Sequence, residues 1–187
     1  MDGTIEKYLT RYAELEVTVL PAFTFQSYEH CLVVPAFQES YEDLTNVWQQ
    51  LPVSTLIILV INAPHKDPKT LALAARIHTS YQRTQHSANL LLLQAENLND
   101  ILLVDRYAVH RLIPTHQGVG LARKIGADLA LALIATGVVS EARISSTDAD
   151  TALPEDYFSR VMAPGEAALI YPFTHQASEA LTQASLL

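Results

Sequence analysis

Residues 55–61, TLIILVI, are apolar without interruption and rich in β-branched side chains. A half-buried strand alternates apolar and polar positions, so a continuous run of this length predicts a strand covered on both faces. HCLVV at residues 30–34 is a second such run, cut off by Pro35, and residues 90–93 are a third. The run at 101–104 is too short for periodicity to separate strand from helix. Residues 142–147 and 167–171 read as further strands, and 17–25 as extended. The polar stretch 82–88 reads as a loop.

Helical patterns fall between these runs. Residues 4–15 form a short amphipathic helix. Ser40 followed by Asp43 predicts a capped start, with the helix running to Gln50. Asp67-Pro68 predicts an N-cap with proline at the first helical position, and that helix reaches Tyr81. Residues 118–137 hold an alanine- and leucine-rich helix terminated by Gly137. Residues 154–161 and those from Gln176 onward also read as helical. Strands alternating with helices predict an α/β fold, a three-layer sandwich around a mainly parallel sheet. Ligands of such sheets sit outside the carboxyl ends of the strands.

Composition narrows the picture. The chain has 187 residues, enough for one sizeable core, and 49% are apolar against 17% charged. Residues 1–187 are therefore read as one domain. Its last ten residues, SEALTQASLL, are helical and half-apolar with no stop signal, so the chain is expected to be a piece of a longer reading frame. Apolar surface left by a missing half would favour self-association. The single cysteine, Cys31, excludes an internal disulfide framework and is expected in the core. The N-terminus is polar and acidic, and the apolar stretch 129–139 is too short to span a bilayer. A cytoplasmic protein is the expectation. A net charge of −8 argues against a nucleic-acid partner. It also leaves few cations for a diphosphate, and a divalent metal is the natural bridge between acidic side chains and phosphate.

Three segments carry candidate chemistry. The first is Asp148-Ala149-Asp150, after a predicted strand. In extended backbone both carboxylates point to one side, where they can share Mg²⁺ or Mn²⁺ with waters and phosphate oxygens. Alone, such a triplet is also a common solvated turn or helix cap. The second is VVPAFQE at 33–39, a strand entering a proline-containing turn. Proline fixes its own backbone angle and extends the residue before it, giving a rigid ledge suited to a flat base. The third is QGVGLARKIG at 117–126, with glycines before a helix and Arg123 near its start. A helix N-terminus attracts phosphate, and Arg123 can add a charge-assisted contact. The spacing is not a dinucleotide fingerprint. Gly126 and Ala127 would let that helix lie close to the sheet. His110, His116 and His175 lack metal-ligand spacing, and Tyr41, Trp48 and Tyr81 are read as packing residues.

The order VVPAFQE, TLIILVINAP, GVGLARKIGADLAL and ISSTDADTALPEDYF resembles the N-terminal, nucleotide-sugar-binding half of family 2 glycosyltransferases of the GT-A fold. That family shows a Val-Pro-x-aromatic-Asn-Glu segment, a strand ending in an acidic residue, a glycine-x-x-x-Ala-Arg-Asn-x-Gly segment, and a D-x-D followed by proline and aromatics. The resemblance covers residues 32–173. It implies that Pro35, Ala36, Phe37 and Glu39 line the nucleoside pocket. Arg123 would face ribose or diphosphate, Asp148 the ribose or the metal, and Asp150 the Mn²⁺ or Mg²⁺. It further implies transfer of a sugar from a nucleotide-diphosphate sugar to an unspecified acceptor.

The chain departs from the family pattern in three places. Asn62 stands where an aspartate commonly reads the base, and an amide donates as well as accepts, so a uracil preference does not carry over. Lys124 replaces the asparagine after the arginine. No residue after Asp150 matches a catalytic base: Glu155, Asp156, Glu166 and Glu179 all lack the context. Two other readings stay open. One is a non-catalytic nucleotide-binding or scaffold domain. The other, a nucleotidyltransferase, is disfavoured by PAFQES where a glycine-rich phosphate loop with lysine should lie.

Overall fold

The computed structural model describes residues 3–160 and 167–172. The chain divides into two compact units, Met1–Glu155 and Asp156–Leu187. The first unit is an α/β fold with a mixed six-stranded sheet. Its strands are β1 (His30–Ala36), β2 (Thr55–Asn62), β3 (Gln82–Ser87), β4 (Leu90–Gln94), β5 (Ile101–Arg106) and β6 (Ser145–Ser146). Its helices are α1 (Gly3–Arg11), α2 (Tyr41–Trp48), α3 (Pro68–Ser80) and α4 (Gly118–Ala135). The sheet order is β3-β4-β5-β2-β1-β6. The four strands β5, β2, β1 and β6 run parallel, while β4 is antiparallel to both β5 and β3. No helix among the described residues is long and apolar enough to cross a membrane.

The continuous apolar run at 55–61 is buried along its whole length, as a strand covered on both faces must be. On one face Val33, Leu56, Ile58, Val60, Leu102 and Val104 pack with Ala122, Ile125, Leu129 and Leu133 of α4. Alternation turns Leu32, Ile57, Leu59 and Ile61 to the other face, where they are buried together with Leu44, Trp48, Leu73 and Ile77 of α2 and α3. Trp48 meets Tyr81 edge-on at 6.4 Å, so these aromatics pack as expected. Cys31 is buried and free.

Both predicted caps form. Ser40 Oγ accepts from the Asp43 N–H at 3.0 Å, and Asp67 Oδ1 accepts from the Thr70 N–H at 2.8 Å. Gly137, at φ 77°, ends α4 by reaching back to the Ile134 carbonyl at 3.0 Å. Within α4, Gly126 is the closest approach to the sheet. A Cβ there would sit 2.3 Å from Val33 Cγ1.

Several expectations change. The polar stretch read as a loop is β3, an edge strand whose exposed polar side chains suit an edge that must not recruit another strand. Its hairpin to β4 turns at Ala88 and Asn89, with Ala88 at φ 51°, a place where glycine would have announced the turn. Residues 101–104 belong to a strand, β5. The segment read as extended is the 3-10 stretch Leu15–Ala22. It buries Glu16, Leu20 and Phe23, a helical spacing, because it lies over the core beneath α4 rather than against a strand. Strand β6 is only two residues long. Residues 155–159 form turns rather than a helix, and 167–171 form no strand. The helix expected from Gln176 and the candidate His175 fall outside the described residues.

A buried aspartate ties the N-terminal segment to α4. Asp128, 2% exposed, accepts from Tyr8 Oη at 2.8 Å, the Glu14 N–H at 2.8 Å and Lys124 Nζ at 2.6 Å. Lys124 also bridges to Glu14 at 3.2 Å. The phenol of Tyr8 is raised above its ordinary pKa, chiefly because it donates to Asp128. In the second unit, Arg160 bonds Asp156 at 2.8 Å and lies 5.0 Å from the ring centre of Tyr171, which stacks on Tyr157.

Two substitutions test this packing by urea unfolding. Gly126→Ala should cost about 1–3 kcal/mol by overpacking Val33, and adding Val33→Ala should recover part of that loss. A wild-type midpoint for Gly126→Ala would mean that α4 does not lie this close. Ala88→Gly should stabilise by up to about 1 kcal/mol by relieving a left-handed alanine, and a clear loss would contradict the hairpin.

Candidate functional site

From β1 the chain crosses to β2 on one side, whereas β6 arrives on the other. Helices α2 and α3 follow the first direction, and α4 covers the opposite face on the way to β6. The carboxyl ends of β1 and β6 therefore flank a topological switch point, where a crevice opens in sheets of this kind. Two of the candidate motifs lie at those two strand ends.

Strand β1 ends in the first. Pro35 and Ala36 are buried in the strand, and Phe37 and Glu39 are half-buried beyond it. The Val33 carbonyl accepts from the Thr147 N–H at 3.1 Å. Pro35, two residues on, faces the same side and has no N–H to give, and the pairing of β1 with β6 stops at Val33 and Ser146. Residues 147–150 are thereby released from the ladder. Thr147 and Ala149 are buried while Asp148 and Asp150 are exposed, so the two carboxylates do share one side. They do so at a turn, closed from the Thr151 N–H to the Asp148 carbonyl at 3.4 Å, and not along an extended strand.

The glycine-and-helix motif at 117–126 meets the Asp148-Ala149-Asp150 turn. Arg123, in α4, forms an ion pair with Asp148. The helix starts at Gln117 without a side-chain cap. His110 and His116 are exposed on the segment between β5 and α4. Glu39 completes the cluster: burial raises its carboxyl above the ordinary range, and the charges of Asp150, Asp43 and Asp148 raise it further. Three carboxylates, on α2 and after β6, thus act on Glu39, and Arg123 is paired to one of them.

Asn62 stands at the same edge, at the end of β2. It is 4% exposed, and its Oδ1 has no hydrogen-bond partner. Its register partner on β5 is Arg106, which pairs with buried Glu16 at 2.7 Å, and Asn89 donates to Glu16 at 2.8 Å. The sequence reading named Asn62 but missed Glu16, Asn89 and Arg106. The one signal available was a charged pair, Asp105-Arg106, directly after an apolar run. It also missed Gln38, whose amide donates to Asp67 at 2.8 Å.

Comparison of the chain with protein-family models, curated proteins and solved structures found no match.

Among the described residues, no three His, Cys, Asp or Glu side chains are arranged as a metal-binding group. A Mg²⁺- or Mn²⁺-type ion does not need a full protein cage, because one or two carboxylates with water and substrate phosphate suffice. Asp150, with Glu39 and Asp148 nearby, fits that pattern, and a cation there would relieve the part of the Glu39 shift that comes from the neighbouring carboxylates rather than from burial. Of the possible bases, Glu155 sits in a turn and Asp156 pairs with Arg160, while Glu166 and Glu179 lie outside the described residues.

The raised carboxyl of Glu39 fixes the sign of a pH effect. A carboxyl raised on folding contributes stability below its unfolded pKa, and that contribution is lost as pH rises through the folded value. Glu39→Gln should therefore gain stability relative to wild type as pH rises from about 4 to 7, read by urea unfolding at both. A difference that shrinks with rising pH would contradict the raised carboxyl of Glu39.

Proposed function

We propose that this chain is the donor-binding part of a metal-dependent glycosyltransferase acting on a nucleotide-diphosphate sugar. The observation that carries the reading is the meeting of Glu39, Arg123, Asp148 and Asp150 at the switch point between β1 and β6. A sheet edge of this type is suited to a nucleotide. Phe37, half-buried just beyond β1, would pack on a base. Arg123 would bind a diphosphate oxygen or hold Asp148 in place for the ribose. Asp150 would hold Mn²⁺ or Mg²⁺, with Asp148 or Glu39 as the second carboxylate. When bound, such an ion supplies charge stabilisation to a departing diphosphate. The base that activates the acceptor hydroxyl is not assigned.

A second reading has its own support. Asp148 is already engaged by Arg123 and is not free to take a cation. That favours a nucleotide-binding domain without turnover.

Calorimetric titration with UDP, GDP and their sugar conjugates, each with Mn²⁺ and with chelator, tests the proposal. Binding should require the metal, and Asp150→Ala should weaken it by about 1.4 kcal/mol or more, a factor of ten. Hydrolysis of the sugar conjugate would favour the transferase, and binding without any turnover the second reading. Equal affinity with chelator would sink the metal-bridged site.

A further inference from the structure

The turn between β1 and α2 holds a residue in an unusual conformation. Gln38 has φ 61°, in the left-handed region that a non-glycine residue rarely adopts. Its main-chain N–H donates to Thr70 Oγ1 at 3.2 Å, and its side-chain Nε2 donates to Asp67 Oδ2 at 2.8 Å. The other Asp67 oxygen accepts from the Thr70 N–H at 2.8 Å and from Thr70 Oγ1 at 2.9 Å. Asp67 and Thr70 are both buried at the start of α3. The cap of α3 is therefore also an anchor for a turn 29 residues earlier in the chain. Backbone strain persists only where surrounding contacts over-determine it, and these four bonds supply the contacts.

We propose that Gln38 is a positioning residue, clamped by Asp67 and Thr70 so that Glu39, next in the chain, faces Asp148 and Asp150. The proposal rests on the nucleotide-sugar reading for its functional consequence, and on the clamp geometry for its structural one. Gln38 bonds to α3, through Thr70 and Asp67. It fixes the direction in which the chain leaves β1, and Glu39 and Phe37 take their places from it. Asp67 is suited to the task because its carboxyl is held below the ordinary range, first by the Thr70 N–H and then by the Gln38 amide. It stays ionised and keeps accepting.

The test is a polarity swap. Gln38→Glu sets two carboxylates against each other and should open the clamp. Gln38→Glu together with Asp67→Asn restores a donor–acceptor pair in the reverse sense and leaves the net charge of wild type. Mn²⁺-dependent binding of UDP or GDP, whichever wild type prefers, should fall by about tenfold in Gln38→Glu, the loss of one hydrogen bond to a charged group. It should return to within about threefold in the double variant. The added charge attracts the cation but repels the diphosphate, so Gln38→Leu, which breaks the same bond without adding charge, should show the same loss, and wild-type binding by Gln38→Leu would overturn the proposal. Equal binding in all three proteins would overturn the proposal. Backbone scalar couplings reporting the sign of φ at residue 38 judge the clamp without any ligand. Positive φ should be lost in Gln38→Glu and regained in the double variant. If wild type binds no nucleotide, the functional reading fails, and retention of positive φ in Gln38→Glu would separately overturn the clamp.

Discussion

The contact between Gly126 and Val33 sets the spacing of the whole α4 side. With no side chain at 126, the helix settles on β1 closely enough that an added Cβ would come within 2.3 Å of a valine methyl. Interiors pack at near-crystalline density, so that approach decides where everything else on the helix falls. Arg123 lies three residues before Gly126 and reaches the end of β6. Asp128 lies two residues after it and meets the N-terminal segment. One missing methyl group thus positions both the cation of the candidate site and the anchor of the chain's first helix.

The candidate site gathers its charges through backbone decisions rather than through side-chain pairing. Pro35 stops the β1–β6 ladder by having nothing to donate, and the chain after β6 turns there instead of continuing. Gln38 turns the chain after β1 in the opposite hand. Between these two breaks stand carboxylates that repel one another, with one arginine paired among them. A site strained in charge at rest has something to gain from a cationic or phosphate-bearing visitor.

Much of this architecture was legible. Uninterrupted apolar runs identified β1, β2 and β4, because a strand buried on both faces cannot hide its composition. Ser40, Asp67-Pro68 and Gly137 marked helix ends by chemistry that acts within four residues. Two of the failures, at β3 and at the stretch from Leu15, were tertiary. Strand β3 carries polar residues because it is an edge, and its turn uses alanine where the local rule wants glycine. The stretch from Leu15 has strand-like residues, yet it lies over a helix-covered core where no strand edge is offered. Of the site, the carboxylates and Arg123 could be named from local motifs. Their company could not, since Gln38 with Asp67, and Asn62 with Arg106, meet only through the fold.

The attachment of the N-terminal segment has a consequence in time. Tyr8 and Asp128 are 120 positions apart, and Glu16 and Asn89 are 73 apart. During synthesis the first residues emerge long before their partners exist, and loop closure over such distances is slow. The opening of the chain must wait, solvated and unattached, until α4 has left the ribosome. The polar, acidic composition of residues 3–14 suits that interval, because a waiting stretch that is poor in apolar surface has little with which to misassociate. These residues are thus among the last to reach their places, and Leu20 and Phe23 close the core as they arrive.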